Sequence, residues 1–156
     1  MGRPPGGGLT HRLNREDALM IKENDLAAMD DASSDNNERI AKFIQEIDLE
    51  QLNSFLEIEV RTEKEAITAA AIWQNTHGES GHKAVIMLDN FGPEKSKQVV
   101  SQLEDMGLRD AVYLEASGNI THEKLDQWFE CGIDVLSTSA INRGVKPLDM
   151  SMIFGD

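Results

Sequence analysis

The stretch Ala111-Val112-Tyr113-Leu114-Glu115-Ala116-Ser117-Gly118-Asn119-Ile120-Thr121 joins an apolar run to a small polar turn and stops just before a helical pattern that begins near His122. It reads as a strand, a tight turn and a helix start. A Ser-Gly-Asn turn lets backbone N–H groups approach an anion closely, and the first turn of a following helix adds its dipole, so Glu115 to Thr121 is a candidate phosphate cradle. The same residues also serve as ordinary turn and capping chemistry. What decides the fold is that this unit recurs.

Upstream, Ala84-Val85-Ile86-Met87-Leu88 is an apolar strand ending at Asp89-Asn90. Pro93 then stands where a first helical residue belongs, Val99, Val100, Leu103 and Met106 supply an apolar face, and Gly107 closes the helix. Before that, Phe55 to Val60 reads as a strand, and Thr62 with Glu65 forms a capping box opening an alanine-rich helix to about Gln74. Ile40, Phe43, Ile44 and Ile47 fall at helical spacing behind the start signal Asp35 and Glu38. Ala18 to Ile21 is a short strand, and Ala28 to Asn37 reads as a polar loop. Downstream, a helix from His122 to Cys131 turns Leu125, Trp128 and Phe129 inward and ends at Gly132; Ile133 to Ser137 and Met150 to Phe154 read as further strands. Strands separated by helices of this length imply a parallel sheet with right-handed crossovers. About five or six strands fit, fewer than a closed barrel of the common kind requires, so the expected fold is α/β, a parallel β/α barrel type left incomplete.

The chain has 156 residues, 40% of them hydrophobic, enough for one compact domain or a large piece of a bigger one. There is no signal-peptide pattern and no apolar run of about eighteen residues, so no membrane span is expected and the expected location is the cytoplasm. The single cysteine, Cys131, excludes an internal disulfide and reads as buried packing. A net charge of -13 argues against nucleic acid and acidic membranes as partners. An anionic ligand must find a local basic cluster, and the clearest runs from His11-Arg12 through Arg15 to Lys22.

In a parallel β/α architecture, ligands bind at the carboxyl ends of the strands. Lys22 ends the first strand, Glu59 lies near the end of the second, Asp89 ends the third, Glu115 and Ser117 end the fourth, and Ser137-Thr138-Ser139 end the fifth. A carboxylate at a strand tip is costly to desolvate unless a cation, a metal or a sugar hydroxyl pairs with it, or unless it caps the next helix. Two such tips, Glu59 and Asp89, point to a Mg²⁺ or ribose site. The turns Ser117-Gly118-Asn119 and Thr138-Ser139-Ala140 fit a phosphate site built from consecutive β/α loops. His11, Arg12 and Lys22 offer fixed positive charge for a carboxylated substrate, although Arg12 and Lys22 also read as solvated surface charges. His77, His82 and His122 lack mutual metal-ligand spacing and receive no role.

Taken together, Gly6-Gly7-Gly8 with His11-Arg12, Met20-Ile21-Lys22-Glu23-Asn24, Glu57-Ile58-Glu59, Met87-Leu88-Asp89-Asn90-Phe91, Glu115 to Thr121 and Leu148-Asp149-Met150-Ser151 closely resemble, in order and spacing, the catalytic domain of the quinolinate phosphoribosyltransferases. The resemblance runs from Gly6 to about Phe154. It implies a Mg²⁺-dependent reaction in which the pyridine nitrogen of quinolinate attacks the anomeric carbon of phosphoribosyl pyrophosphate. Pyrophosphate and carbon dioxide leave, giving nicotinate mononucleotide for NAD biosynthesis. It also implies that His11, Arg12 and Lys22 contact the quinolinate carboxylates and that Glu59 and Asp89 lie near ribose and metal, with Lys22, Glu59 and Asp89 as the catalytic set. Ser117, Gly118 and Asn119, with Thr138, Ser139 and Ala140, correspond to the two phosphate loops.

Four departures stand out. Asn119 and Ser139 occupy positions where the family usually has glycine, Asp25 replaces a usual histidine, and Asn142-Arg143 replaces a common Thr-His pair. The family's N-terminal α/β domain, its first barrel strands and its Arg-Lys-Thr-x-Pro-Gly motif have no counterpart, so residues 1–156 are expected to be the C-terminal part of the catalytic domain. Such a part is expected to have low activity alone and to belong to a homodimer or higher oligomer in full-length form. The alternatives are a non-catalytic half-barrel interaction module and a related phosphoribosyltransferase with another pyridine or pyrimidine-like substrate.

Overall fold

The computed structural model describes residues 8–12, 14, 17–29, 35–52 and 54–141. Among them, five strands form one sheet: β1 Leu19–Ile21, β2 Leu56–Val60, β3 Ala84–Asp89, β4 Val112–Ser117 and β5 Val135–Leu136. All neighbours are parallel and lie in sequence order, β1-β2-β3-β4-β5. A sheet that never reverses its order has no switch point and winds in one direction, as a sector of a barrel does. The α-helices are α1 Glu23–Met29, α2 Asn36–Glu46, α3 Glu63–His77 and α4 Gly92–Asp105.

Alternation along the strands sorts the two faces. Leu56, Ile58 and Val60 on β2, Ala84, Ile86 and Leu88 on β3, and Val112, Leu114 and Ala116 on β4 are all fully buried, and all but Ala116 pack with Ile40, Ile44, Ala66, Ala69, Trp73, Val99 and Leu103 of the helices. The intervening positions Glu57 and Glu59, Met87 and Asp89, and Glu115 and Ser117 belong to the opposite, inner face. That face carries the chemistry.

Local signals explain where the helices begin. Asp35 and Glu38 cap α2 reciprocally, and Thr62 and Glu65 do the same for α3. Pro93 lies in the first turn of α4, and Gly107 follows its end with a positive φ of 68°.

Several expectations need correction. The expected polar loop begins later, because α1 takes Ala28 and Met29; buried Leu26 fixes this short helix to the core. β4 extends through Ser117, so Glu115, Ala116 and Ser117 are strand residues and the turn proper is Gly118-Asn119. The expected α-helix after Thr121 is a three-ten segment, His122–Trp128, and only Trp128 is buried there while Phe129 is 79% exposed. Met106 lies past the end of α4 and is 54% exposed. His77 is helical, and its Nε2 lies 2.7 Å from the Ile44 carbonyl oxygen. The expected strand at Met150 to Phe154, with Asn142-Arg143 and Leu148 to Ser151, lies outside the described residues.

Candidate functional site

The carboxyl ends of β1, β2 and β3 hold a compact set of opposite charges. Ile21 pairs with Ile58 and Val60 with Leu88, which sets Lys22 level with Glu59 and Arg61 level with Asp89. Lys22 Nζ donates to Glu59 Oε2. Arg61 donates from Nη1 to Glu23 of α1, while its Nη2 lies 3.8 Å from Glu59 Oε1 and its Nε 4.0 Å from Asp89 Oδ2. The structure thus sets Lys22, Glu59 and Asp89 at neighbouring strand ends, with Arg61 between the two carboxylates. Arg61 is the member that sequence reasoning missed, although its place directly after a strand was the available signal. Glu59 is buried and Asp89 partly so, and one guanidinium faces both carboxylates. Carboxylate oxygens are hard donors of the kind Mg²⁺ takes, and here Lys22 and Arg61 are the cations set against them.

Deeper on the inner face lies a second group. His11 Nε2 is 3.1 Å from Glu57 Oε2 and 3.5 Å from Glu115 Oε1. Glu57 is fully buried, and the His11 ring nitrogen at 3.1 Å is the polar group nearest its carboxylate among the contacts described. Burial first and neighbouring Glu115 second raise the Glu57 carboxyl to about 7, against the opposing pull of His11 and Arg12. Glu115 accepts a hydrogen bond from Ser137 Oγ. Arg12 Nη1 donates to the Ala18 carbonyl at 3.4 Å. Glu57 and Glu115 are therefore part of the site that expectation did not assign; the alternation in Leu-Glu-Ile-Glu-Val was the signal for Glu57. The ligand atoms of His11, Glu57 and Glu115 lie within 4.8 Å of one another, so these groups act as one unit.

The two expected phosphate turns are neighbours. Thr138 Oγ1 donates to the Ile120 carbonyl and accepts from Ala140 N at 3.0 Å, so this hydroxyl braces one turn against the other. Ser139 is exposed. In the first turn, Gly118 has φ 93° and Asn119 φ 54°. Asparagine tolerates the left-handed region through its short polar side chain, which is why it stands here in the place of glycine. Asn119 Nδ2 donates to Asn90 Oδ1 at 2.9 Å, and Asn90 N donates to the Ser117 carbonyl at 2.9 Å. A pocket of about 190 Å³ opens beside this turn, between Asn90, Gly118, Asn119, Lys124 and Trp128, with Lys124 as the basic residue of its lining.

Gly118 admits no side chain. A Cβ there would lie 2.2 Å from Asn90 Oδ1 and 3.1 Å from Asn90 N, on a backbone that disfavours L side chains. Gly118→Ala is expected to destabilise the chain by about 1–3 kcal/mol in urea unfolding, from positive-φ strain and displacement of Asn90. Asn119→Gly, which keeps the conformation, should cost under about 1 kcal/mol. Equal costs for the two would show that the turn is not conformationally determined.

The family model for the C-terminal domain of quinolinate phosphoribosyl transferase matches residues 3–153. The probable nicotinate-nucleotide pyrophosphorylase (carboxylating) of Methanothermobacter thermautotrophicus is 31% identical over 147 residues, covering 94% of this chain and 47% of that protein. Its namesake in Archaeoglobus fulgidus is 33% identical over 147 residues, covering 94% of this chain and 50% of that protein. Among solved structures, the nicotinate-nucleotide pyrophosphorylase from Francisella tularensis superposes with a TM-score of 0.64 at 31% identity, over 90% of this chain and 42% of the other. The chain spans about half the length of the curated relatives it matches.

Proposed function

The chain belongs to the quinolinate phosphoribosyltransferase family, whose C-terminal domain it matches over residues 3–153, and from that premise we propose that it forms part of a nicotinate-nucleotide diphosphorylase (carboxylating). The reaction joins quinolinate to phosphoribosyl pyrophosphate and yields nicotinate mononucleotide, pyrophosphate and carbon dioxide. The observation that carries this reading is the placement of Lys22, Glu59 and Asp89 at adjacent strand tips, with a positive-φ turn at Gly118-Asn119 beyond the next strand.

In this reading, His11, Arg12 and Lys22 bind the two carboxylates of the pyridine. Nε2 of His11 faces Glu57 and Glu115, which leaves Nδ1 as the ring nitrogen for the ligand. Glu59 and Asp89 line the ribose side, where positive charge develops on the anomeric carbon as its bond to pyrophosphate breaks, and buried carboxylates stabilise that charge. Mg²⁺, held by Glu59 and Asp89 directly or through water, would neutralise charge on the departing pyrophosphate. Ser117 at the end of β4, the backbone N–H groups of the Gly118-Asn119 turn and Ser139 of the adjoining turn would offer donors to phosphate oxygens, with Thr138 and Ala140 bracing the second turn. The proposed setting is the cytoplasm, as part of a homodimer or larger assembly; among the described residues, no helix is long and apolar enough to cross a membrane.

Calorimetric titration tests the reading. Quinolinate is expected to bind more tightly than nicotinate, which lacks one carboxylate, and Lys22→Ala should weaken quinolinate about tenfold, the loss of one charged hydrogen bond. Equal affinity for the two pyridines would move the substrate to another member of the class. Failure of both to bind would overturn the proposal.

A second reading is a half barrel that docks on a partner, favoured by Tyr113 and Val135, which are 47% and 42% exposed on the inner face. Sedimentation would then show a concentration-dependent assembly that Tyr113→Lys dissolves.

A further inference from the structure

Glu59 and Asp89 are the carboxylates proposed above for Mg²⁺, and the chain already sets two cations of its own against them: Lys22, in direct contact with Glu59, and Arg61, which reaches across both. Arg61 presents three different nitrogens to three carboxylates: Nη1 to Glu23, Nη2 to Glu59 at 3.8 Å and Nε to Asp89 at 4.0 Å. Its backbone is fixed, because Arg61 N donates at 2.8 Å to Glu65, the same side chain that caps α3. Its side chain is 57% exposed, so solvent surrounds much of it. The two longer contacts exceed hydrogen-bonding distance, so they are Coulombic only and are surrendered without breaking a directed bond. The contact with Glu23 is direct and anchors the guanidinium outside the carboxylate pair.

We propose that Arg61, the one described cation near both carboxylates and the looser partner beside the direct Lys22–Glu59 pair, is a displaceable counter-cation that tunes the divalent-cation affinity of the site by competing for it. The inference rests on the reading of Glu59 and Asp89 as the metal-side carboxylates. When a divalent ion enters, it meets the carboxylate oxygens at bonding distance, whereas the guanidinium sits well outside them. Arg61 then rotates away about its own side-chain bonds and keeps its bond to Glu23. Glu23 is therefore the latch that holds Arg61 in its loose, displaceable position. Without Glu23, the guanidinium turns fully onto Glu59 and Asp89.

Two substitutions should act in opposite directions. Arg61→Gln removes the competitor, and one unit charge at about 4 Å, screened as in water around this half-exposed side chain, corresponds to roughly fivefold tighter cation binding. Glu23→Gln releases Arg61 onto the pair and should weaken cation binding several-fold. Arg61→Lys keeps a charge and should stay closer to the wild type than Arg61→Gln does.

The test is Mn²⁺ binding to the full chain, followed by electron paramagnetic resonance of the free ion and by displacement with Mg²⁺. Circular dichroism of each variant checks that it is folded. Glu59→Gln with Asp89→Asn defines the background from the acidic surface. The expected result is tighter binding in Arg61→Gln, weaker binding in Glu23→Gln, and loss in the carboxylate double variant. If Arg61→Gln binds Mn²⁺ no more tightly than the wild type while the double variant loses it, the competition is overturned and the metal reading stands. If the double variant binds as the wild type does, the metal reading itself fails and takes the inference with it. A shift of both single variants in the same direction would reduce Arg61 and Glu23 to a structural ion pair.

Discussion

Trp73→Ala is expected to lower stability by about 3–5 kcal/mol, a large part of the total that a domain of this size has to lose. Trp73 is 1% exposed and is the largest fully buried side chain among the described residues. It sits late in α3, touches His77 with ring centroids 4.8 Å apart, and donates from its indole N–H to the His82 carbonyl at 3.2 Å. That bond ties the helix end to the connection leading into β3. Alanine leaves a cavity and takes away the indole partner of the His82 carbonyl. Chemical unfolding followed by circular dichroism should find the variant marginally folded or unfolded at 25 °C. Trp73→Phe refills most of the space and should cost about 1–2 kcal/mol, because the hydrogen bond is still lost. A loss below about 1 kcal/mol in the alanine variant would show that this part of the core collapses freely.

The second large effect is a pH dependence that runs opposite to ordinary acid denaturation. The Glu57 carboxyl is raised from 4.5 to about 7, first by burial and then by Glu115. The unfolded chain releases this proton near 4.5, whereas the folded chain keeps it until about 7. Within that window the native state binds the extra proton, so stability falls as pH rises, by at most about 1.4 kcal/mol per pH unit for one group. Above about 7 the penalty is fully present, and below about 4.5 it is absent. Asp35 and Glu123, whose carboxyls are lowered, contribute in the ordinary sense and lose their contribution as pH falls through their own range. Their effect lies on the acid side of the Glu57 window. Urea midpoints measured between pH 5 and 8 should decrease with pH, and Glu57→Gln should flatten the slope and stabilise the chain at pH 8 by about 1–3 kcal/mol. A wild-type midpoint that stays flat or rises across this range would refute the buried-acid account.

Much of the site was legible because polar residues are expensive in apolar strands. Lys22, Glu59 and Asp89 could be placed at strand ends from the runs that precede them, and each lies there. Arg61 was not legible as a partner, since nothing local says that its guanidinium spans from α1 to β3. The His11 contact with Glu57 and Glu115 joins residues 46 and 104 positions apart along the chain. No pattern in one segment specifies it. Phe129 and Met106 were misplaced for a related reason: periodicity continues past the point where a helix stops, and the burial it promises stops with the helix.

By itself the sequence determined the parallel β/α order, because hydrophobic period, capping residues and punctuating glycines are local signals that act over one turn or one strand. It also determined which strand ends carry charge. Only the tertiary structure decided which charges meet. Strand register set Lys22 level with Glu59 and Arg61 level with Asp89. The inner face of the sheet then withdrew Glu57 and Glu115 from water beside His11. Ion pairing and desolvation depend on distance in space and on the loss of solvent, and neither is a property of any one stretch of chain.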